Sequence, residues 1–186
     1  MKELAEHLLD ILQNCLFAGA SRVTINLVED VATDQLTMEI KDNGCGMDEQ
    51  LLAKVLDPFV TTRNKKTGLG LPLLAQTAQL CNGSLVLASK VGEGTEVTLK
   101  IQQSHWDCPP LGNVIDTITS CLNEQTHLVF MHKCLDSTGS VVGVVSLDTD
   151  DIKAHLEGIP MNHPEVLLFV RRMLEQEYEE MEGRER

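Results

Sequence analysis

Residues 35–47 read Gln-Leu-Thr-Met-Glu-Ile-Lys-Asp-Asn-Gly-Cys-Gly-Met, a predicted strand followed by a glycine-containing loop. Its first half alternates polar side chains with the apolar residues Leu36, Met38 and Ile40, which is the period of a strand with one buried face. Asp42 then ends the strand, and Gly44 and Gly46 let a backbone come close to a flat ligand. A carboxylate at this place can accept a hydrogen bond from an exocyclic amine. Ordinary turns carry the same pattern, so the motif alone leaves both interpretations open.

Periodic segments on both sides predict the order helix, two strands, helix, two strands. Amphipathic helices are expected at residues 2–18, ended by Gly19, and at residues 70–81. Strands are expected at residues 22–28, 35–41, 84–89 and 95–102, with a short helix at 48–56. This order predicts an α/β fold, a two-layer sandwich in which helices cover one face of a mixed sheet.

A domain boundary is predicted near residues 105–110, because Pro109 and Pro110 extend neither a strand nor a helix. Residues 1–104 are then one predicted domain and residues 105–186 a C-terminal α+β extension that packs on it or binds a partner. The extension is expected to hold helices at 111–123, 149–157 and from 163 onward, and strands at 126–134 and 140–147. Asn162 and Pro164 are the start signal for the last helix.

Asp10 and Asn14 are four residues apart on the first predicted helix, so they share one face. A carboxylate and an amide oxygen side by side suit a hydrated Mg²⁺ ion, which prefers oxygen ligands and keeps several waters. The alternative is that both residues form the solvated polar edge of an amphipathic helix.

Thr67-Gly68-Leu69-Gly70-Leu71 stands at the start of the second long helix. Glycines expose backbone amides there, and the helix N-terminus adds partial positive charge, which together favour an anion. The cations just upstream can close over phosphate oxygens; they are Arg63, Lys65 and Lys66. The segment is neither a Walker A motif nor a Rossmann fingerprint, and a flexible solvated turn is the alternative.

Taken in order, these motifs resemble the boxes of the ATPase superfamily that holds gyrase, the heat-shock chaperone, histidine kinases and MutL. Asp57-Pro-Phe59-Val-Thr61-Thr62 and the glycines after it are similar to the F and G2 boxes of sensor histidine kinases. Residues 14–21, Asn-Cys-Leu-Phe-Ala-Gly-Ala-Ser, are similar to the N box of MutL and gyrase, and Gly92-Glu-Gly94-Thr95 to the final Gly-Thr box. The resemblance covers residues 4–101 and implies the Bergerat-type ATP-binding fold.

The resemblance also implies ATP and Mg²⁺ as ligands and a role for each matching residue. Asn14 would bind Mg²⁺ and Asp42 the adenine amine. The base would lie among Gly44, Gly46, Met47 and Thr95. The phosphates would meet Arg63, Lys66, Thr67, Gly68, Leu69, Gly70 and Leu71. Asp10 is the candidate general base, although hydrolysing relatives carry the longer Glu there and histidine kinases often carry Asn or Asp.

These residues predict a Mg-ATP-binding regulatory protein, either a protein kinase acting in trans or a nucleotide-sensing subunit. A complete sensor kinase places a hairpin with the phospho-acceptor His before the ATP domain, and only three residues precede Leu4, so no such hairpin is expected. The alternatives are a free-standing ATPase and a degenerate ATP-binding scaffold. Intact Asn14, Asp42 and motif glycines count against the scaffold.

Composition restricts the partners. The chain has 28 acidic and 15 basic residues, a net charge of −13, and 3% aromatic residues, which disfavours nucleic acid as a partner. No signal peptide or membrane-spanning run stands out, so a cytoplasmic protein without membrane contact is expected. Besides ATP and ADP, a protein partner bound through residues 105–186 is expected. The acidic last helix is either a solvated surface or a docking surface for a basic partner.

The 6 cysteines contain no CxxC pair, so reduced thiols are expected rather than a disulfide framework. Cys108, Cys121 and Cys134 are evenly spaced and have histidines near them. Zinc sites usually take ligands in closely spaced pairs, so these cysteines are interpreted as core or surface thiols.

Overall fold

A mixed six-stranded sheet organises the part of the chain that the computed structural model describes, residues 2–57, 69–156 and 158–184. The strands are β1 (Arg22–Asp30), β2 (Gln35–Asp42), β3 (Ser84–Lys90), β4 (Gly94–Gln102), β5 (His127–Leu135) and β6 (Val141–Asp148). The helices are α1 (Leu4–Phe17), α2 (Glu49–Leu52), α3 (Gly70–Leu80), α4 (Val114–Ser120), α5 (Thr149–Lys153) and α6 (Pro164–Arg184). No helix within these ranges combines the length and the apolar character needed to cross a membrane.

The strands lie in the order β3-β4-β2-β1-β5-β6, and all neighbours are antiparallel except β1 and β5, which are parallel. Ile25 of β1 pairs with Ile40 of β2 on one side and with Phe130 of β5 on the other. After β4 the chain crosses the helical layer as α4 and returns beside β1. Residues after 104 thus extend the same sheet, and their status as a separate domain stays a prediction.

Alternate side chains of the strands form the core with the helices. The inward residues of the four central strands are Val23, Ile25, Leu27, Leu36, Met38, Ile40, Val97, Leu99, Ile101, Leu128 and Phe130. They belong to one hydrophobic cluster with Leu4, Leu8, Ile11 and Leu12 of α1. The alternate positions on the other side of the sheet are half-buried or exposed and mostly polar, as at Thr24, Glu39, Thr98 and Lys100. These burial patterns confirm the predicted α/β sandwich with helices on one face.

Helix α1 lies between α3 and α4, and α4 contacts α6, so the helical layer runs α3, α1, α4, α6. The Leu4 amide donates to the Pro110 carbonyl at 2.9 Å, and the Thr117 hydroxyl donates to the Ala5 carbonyl at 3.2 Å. The start of α1 is therefore held by the segment that follows β4.

Three helices, α2, α4 and α5, are shorter than predicted by four or more residues. Helix α4 begins only at Val114, where the Asn113 side chain accepts from the Asp116 amide at 2.9 Å. Helix α5 ends at Lys153 instead of residue 157, and α2 spans four residues. In α6 the first helical residue is Pro164, so His163 and not Asn162 occupies the cap position.

Candidate functional site

Asp42 lies at the end of β2 as a buried carboxylate, 7% exposed. Its Oδ1 atom accepts a hydrogen bond from the Gly44 amide at 2.7 Å. The Cys15 thiol of α1 also hydrogen-bonds to Asp42, and burial together with the Asp42 charge raises the pKa of that thiol. Cys15 therefore stays protonated as a donor to the carboxylate. The sequence did not predict this contact of Cys15 with Asp42. The only indication was that Cys15 is next to Asn14, a predicted site residue.

The glycines after Asp42 serve close packing of the chain on itself. Gly46 has a φ of +64°, and a Cβ atom there would lie 2.0 Å from the Lys90 carbonyl oxygen. Gly94 has a φ of +107°, and a Cβ atom there would lie 2.0 Å from the Asp42 carbonyl oxygen. A side chain fits at neither position. The two glycines thus bring the loop after β2 against the turn between β3 and β4.

Ser89 connects this loop to the start of β4. Its Oγ atom accepts from the Met47 amide at 2.8 Å and donates to the Gly94 carbonyl at 2.9 Å. The Thr95 hydroxyl lies 2.9 Å from the same Oγ atom, and Thr95 pairs with Asp42 across the β2–β4 ladder. Met47, Thr95 and Asp42 are therefore held together, and their role in a base pocket stays a prediction. No sequence motif predicted that Ser89 would take part in this site.

Asp10 of α1 lies beside the start of α3. A Cβ atom added to Gly70 would be 2.9 Å from the Asp10 Oδ2 atom, so the absence of a side chain at Gly70 permits this contact. Leu69 occupies the N-cap position of α3 without a side-chain cap, and Leu71 follows Gly70 in its first turn. The first amides of a helix have no intrahelical acceptor and carry partial positive charge. Asp10 thus faces a helix end that also suits other anions.

Helix α1 joins the two groups of residues. Asp10 contacts the start of α3, and Cys15 contacts Asp42, about 8 Å further along the helix at 1.5 Å per residue. Asn14 lies between them on α1 and is half-buried. Four of the predicted phosphate contacts lie outside the described residues: Arg63, Lys66, Thr67 and Gly68. Residues 58–62, which belong to the segment similar to the F box, also lie outside them.

A polar recess of about 560 Å³ lies elsewhere, at the opposite ends of β2 and β4. It is lined by Asp34, Asn82, Lys100 and Gln102, among others. Asp42 and Thr95 lie at the far ends of the same two strands, so this recess is distinct from the site described above.

Comparison with known proteins identifies a family for the N-terminal part of the chain. The family described as "Histidine kinase-, DNA gyrase B-, and HSP90-like ATPase" matches residues 1–105. The signal transduction histidine-protein kinase AtoS of Escherichia coli is 39% identical over 97 residues, which are 52% of this chain and 16% of AtoS. Sporulation kinase E of Bacillus subtilis is 31% identical over 108 residues, which are 55% of this chain and 14% of that kinase. The chain thus spans a small part of the length of these relatives.

A crystal structure of the N-terminal domain of a DNA repair protein shares the fold, with a TM-score of 0.51 and 11% identity over 78% of this chain and 53% of that one. At this identity the likeness concerns the fold alone. The family match covers more than half of the 186 residues, and the protein therefore belongs to the histidine kinase-, DNA gyrase B- and HSP90-like ATPase family.

Proposed function

We propose that this protein is a Mg-ATP-binding regulator that acts on a partner protein, as a kinase in trans or as a nucleotide sensor. The observation that carries the proposal is Asp42, a buried carboxylate held at the end of β2 by the Gly44 amide and the Cys15 thiol. Burying a carboxylate is costly unless its oxygens are hydrogen-bonded. The amino group of adenine would supply a further donor there, with Met47 and Thr95 beside the base.

The start of α3 would receive the phosphates. Its amides attract an anion, whereas Asp10 beside Gly70 would repel one. A divalent cation between the carboxylate and the phosphates removes this repulsion, and Asp10 and Asn14 offer the oxygen ligands that Mg²⁺ prefers. These residues therefore fit a bound Mg²⁺, which would neutralise phosphate charge. Arg63, Lys66, Thr67 and Gly68 remain proposed phosphate contacts on the strength of the sequence motif.

The kinase or sensing role rests on the relatives and on the residues outside the family match. The relatives AtoS and sporulation kinase E are named as kinases. The family match covers residues 1–105, which include Asp42 and Gly70. Residues 106–186 lie beyond that match, and we propose them as the part that recognises a protein partner.

A free-standing ATPase is the second candidate, because Asp10 lies at the start of α3. A carboxylate at that place can take a proton from an attacking water. Aspartate reaches one methylene less far than the glutamate of hydrolysing members, which favours the regulator.

The test is a calorimetric titration with Mg-ATP and Mg-ADP. A hydrogen bond to a charged group contributes about 1.5–3 kcal/mol, so Asp42→Asn should raise the Kd roughly 10- to 150-fold. Asp151→Asn is the matched control, since Asp151 is exposed on α5, and its Kd should equal that of the wild type.

Phosphate release from the same samples separates the two candidates. We expect binding with negligible release, which supports the regulator. Steady release that Asp10→Asn abolishes would establish the ATPase instead. A wild-type protein that binds neither nucleotide would overturn both.

A further inference from the structure

A cluster of polar and sulfur side chains lies where β1, β5 and α6 meet. His132 and Cys134 are two residues apart on β5, so both point toward the helical layer. Glu29 of β1 is in register with Cys134. Met181 of α6 lies against Cys134, whose thiol donates to the Met181 sulfur at 3.7 Å. We call Glu29, His132, Cys134 and Met181 the β1/β5/α6 cluster.

The potential ligand atoms of this cluster are close together. His132 Nε2 is 2.9 Å from Glu29 Oε1, and one ligand atom each of Glu29, His132 and Cys134 lie within 4.8 Å of one another. Zinc bonds of about 2.0–2.3 Å place tetrahedral ligands roughly 3.3–3.8 Å apart. The cluster therefore reaches zinc geometry by side-chain movements on the order of 1 Å.

Both nitrogen and oxygen ligands have outer partners that would orient them. The Tyr178 hydroxyl lies 3.0 Å from His132 Nδ1, the ring nitrogen that faces away from Glu29. Gln103 donates to Glu29 Oε2, the oxygen that does not contact His132. Metal-bound histidines and carboxylates in proteins have second partners of this kind.

Burial and ligand chemistry favour zinc over magnesium. His132 is 1% exposed, and Cys134 and Met181 are also buried, whereas the Glu29 side chain is 23% exposed and gives access from solvent. A thiolate and an imidazole suit zinc, while magnesium prefers oxygen ligands and water. The Mg²⁺ that accompanies ATP would therefore not compete for this place.

We propose that the β1/β5/α6 cluster is a zinc site that joins the nucleotide-binding segment to the C-terminal segment. On binding, the Cys134 thiol releases its proton to solvent, because the thiolate is the ligand. A carboxylate can only accept, so the proton now between His132 and Glu29 is on Nε2. When Nε2 binds the metal it loses this proton. Nδ1 takes up a proton instead and donates a hydrogen bond to the Tyr178 oxygen. The net change is the release of a single proton.

The test is a titration of the chelator-treated full chain with Co²⁺, without nucleotide. We expect saturation at one equivalent, visible bands of tetrahedral cobalt, a thiolate-to-cobalt charge-transfer band, and bleaching by Zn²⁺. Cys134→Ser should lose the charge-transfer band. Cys45→Ser alters an exposed cysteine that follows the end of β2 opposite to Glu29 in the β1–β2 ladder, and it should keep the band.

Tyr178→Phe keeps the ring in place and removes the proposed partner of Nδ1. We expect it to weaken Co²⁺ binding about 10- to 100-fold, while circular dichroism remains that of the wild type. A wild-type protein without a saturable spectrum, or a charge-transfer band that persists in Cys134→Ser, would show a purely hydrogen-bonded cluster and overturn the proposal. Because the assay contains no nucleotide, this outcome leaves the proposed ATP site untouched.

Discussion

At the residue scale, most buried polar side chains of the described ranges have a partner from a distant part of the chain. Asp42 is held by Cys15, and Thr126 donates to the Ala20 carbonyl at 3.1 Å. His7 also has one, because its Nε2 atom lies 3.3 Å from the Thr77 hydroxyl. Its Nδ1 atom, however, is the one buried side-chain nitrogen or oxygen of the described residues that has no hydrogen-bond partner. Burial lowers the pKa of His7, which keeps the ring neutral between α1 and α3.

Glu29 makes the stability of the metal-free protein depend on pH. Its hydrogen bond with His132 lowers its pKa below the ordinary value of 4.5, against the opposing effect of burial. A lowered pKa stabilises the fold above that ordinary value, and the contribution is lost as the pH falls through the folded-state pKa. The wild-type protein should therefore have a larger free energy of unfolding than the Glu29→Gln variant at neutral pH. This difference should shrink below about pH 4.5.

Urea denaturation at several pH values with a chelator present measures this difference. Glu179→Gln is the control, because Glu179 is an exposed glutamate in the last part of α6 that takes no part in the hydrogen bonds of Glu29. Its stability difference from the wild type should not change with pH. If the stability difference between the wild type and Glu29→Gln stays constant from neutral to acid pH, Glu29 does not make stability depend on pH in this way.

At the element scale, side-chain caps decide where the C-terminal helices begin. Asn113 caps α4 through the Asp116 amide, whereas Asn162 lies one residue outside the cap position of α6. Loss of a side-chain cap costs about 0.5–2 kcal/mol. Asn113→Ala should therefore lower the free energy of unfolding by that amount, and the same change at Asn162 should have almost no effect. Urea denaturation of both variants checks this, and equal losses would contradict the observed helix starts.

At the scale of the whole molecule, the parallel pairing of β1 with β5 makes the two segments share one core. Phe130 of β5 is 1% exposed and pairs with Ile25 of β1. Removing a buried Phe ring costs about 3–5 kcal/mol. Phe130→Ala should lower the stability by that amount and weaken amide protection in β2 as well as in β6.

Hydrogen exchange followed by mass spectrometry reports on both strands separately. Faster exchange in β6 with unchanged exchange in β2 would show that residues 105–186 unfold on their own. That result would support the predicted division into two domains.

Most helices and strands, and the motif at Asp42, could be predicted from the amino-acid sequence, because both depend on short-range patterns. Alternation in residues 35–41 predicts β2, and Asp42, Gly44 and Gly46 follow this stretch within five residues. The predicted ends of the helices were less accurate than their positions. At α4, the cap at Asn113 sets the first residue of the helix, and the periodicity of the neighbouring residues does not show it.

The contacts between residues far apart in the sequence could not be predicted and are seen in the folded chain alone. Ser89 reaches Met47 across 42 residues, and His132 reaches Glu29 across 103. The parallel placement of β5 beside β1 brings Glu29, His132 and Cys134 together. Such contacts depend on strand order and register, which arise from packing one hydrophobic core and leave no periodic signal along the chain.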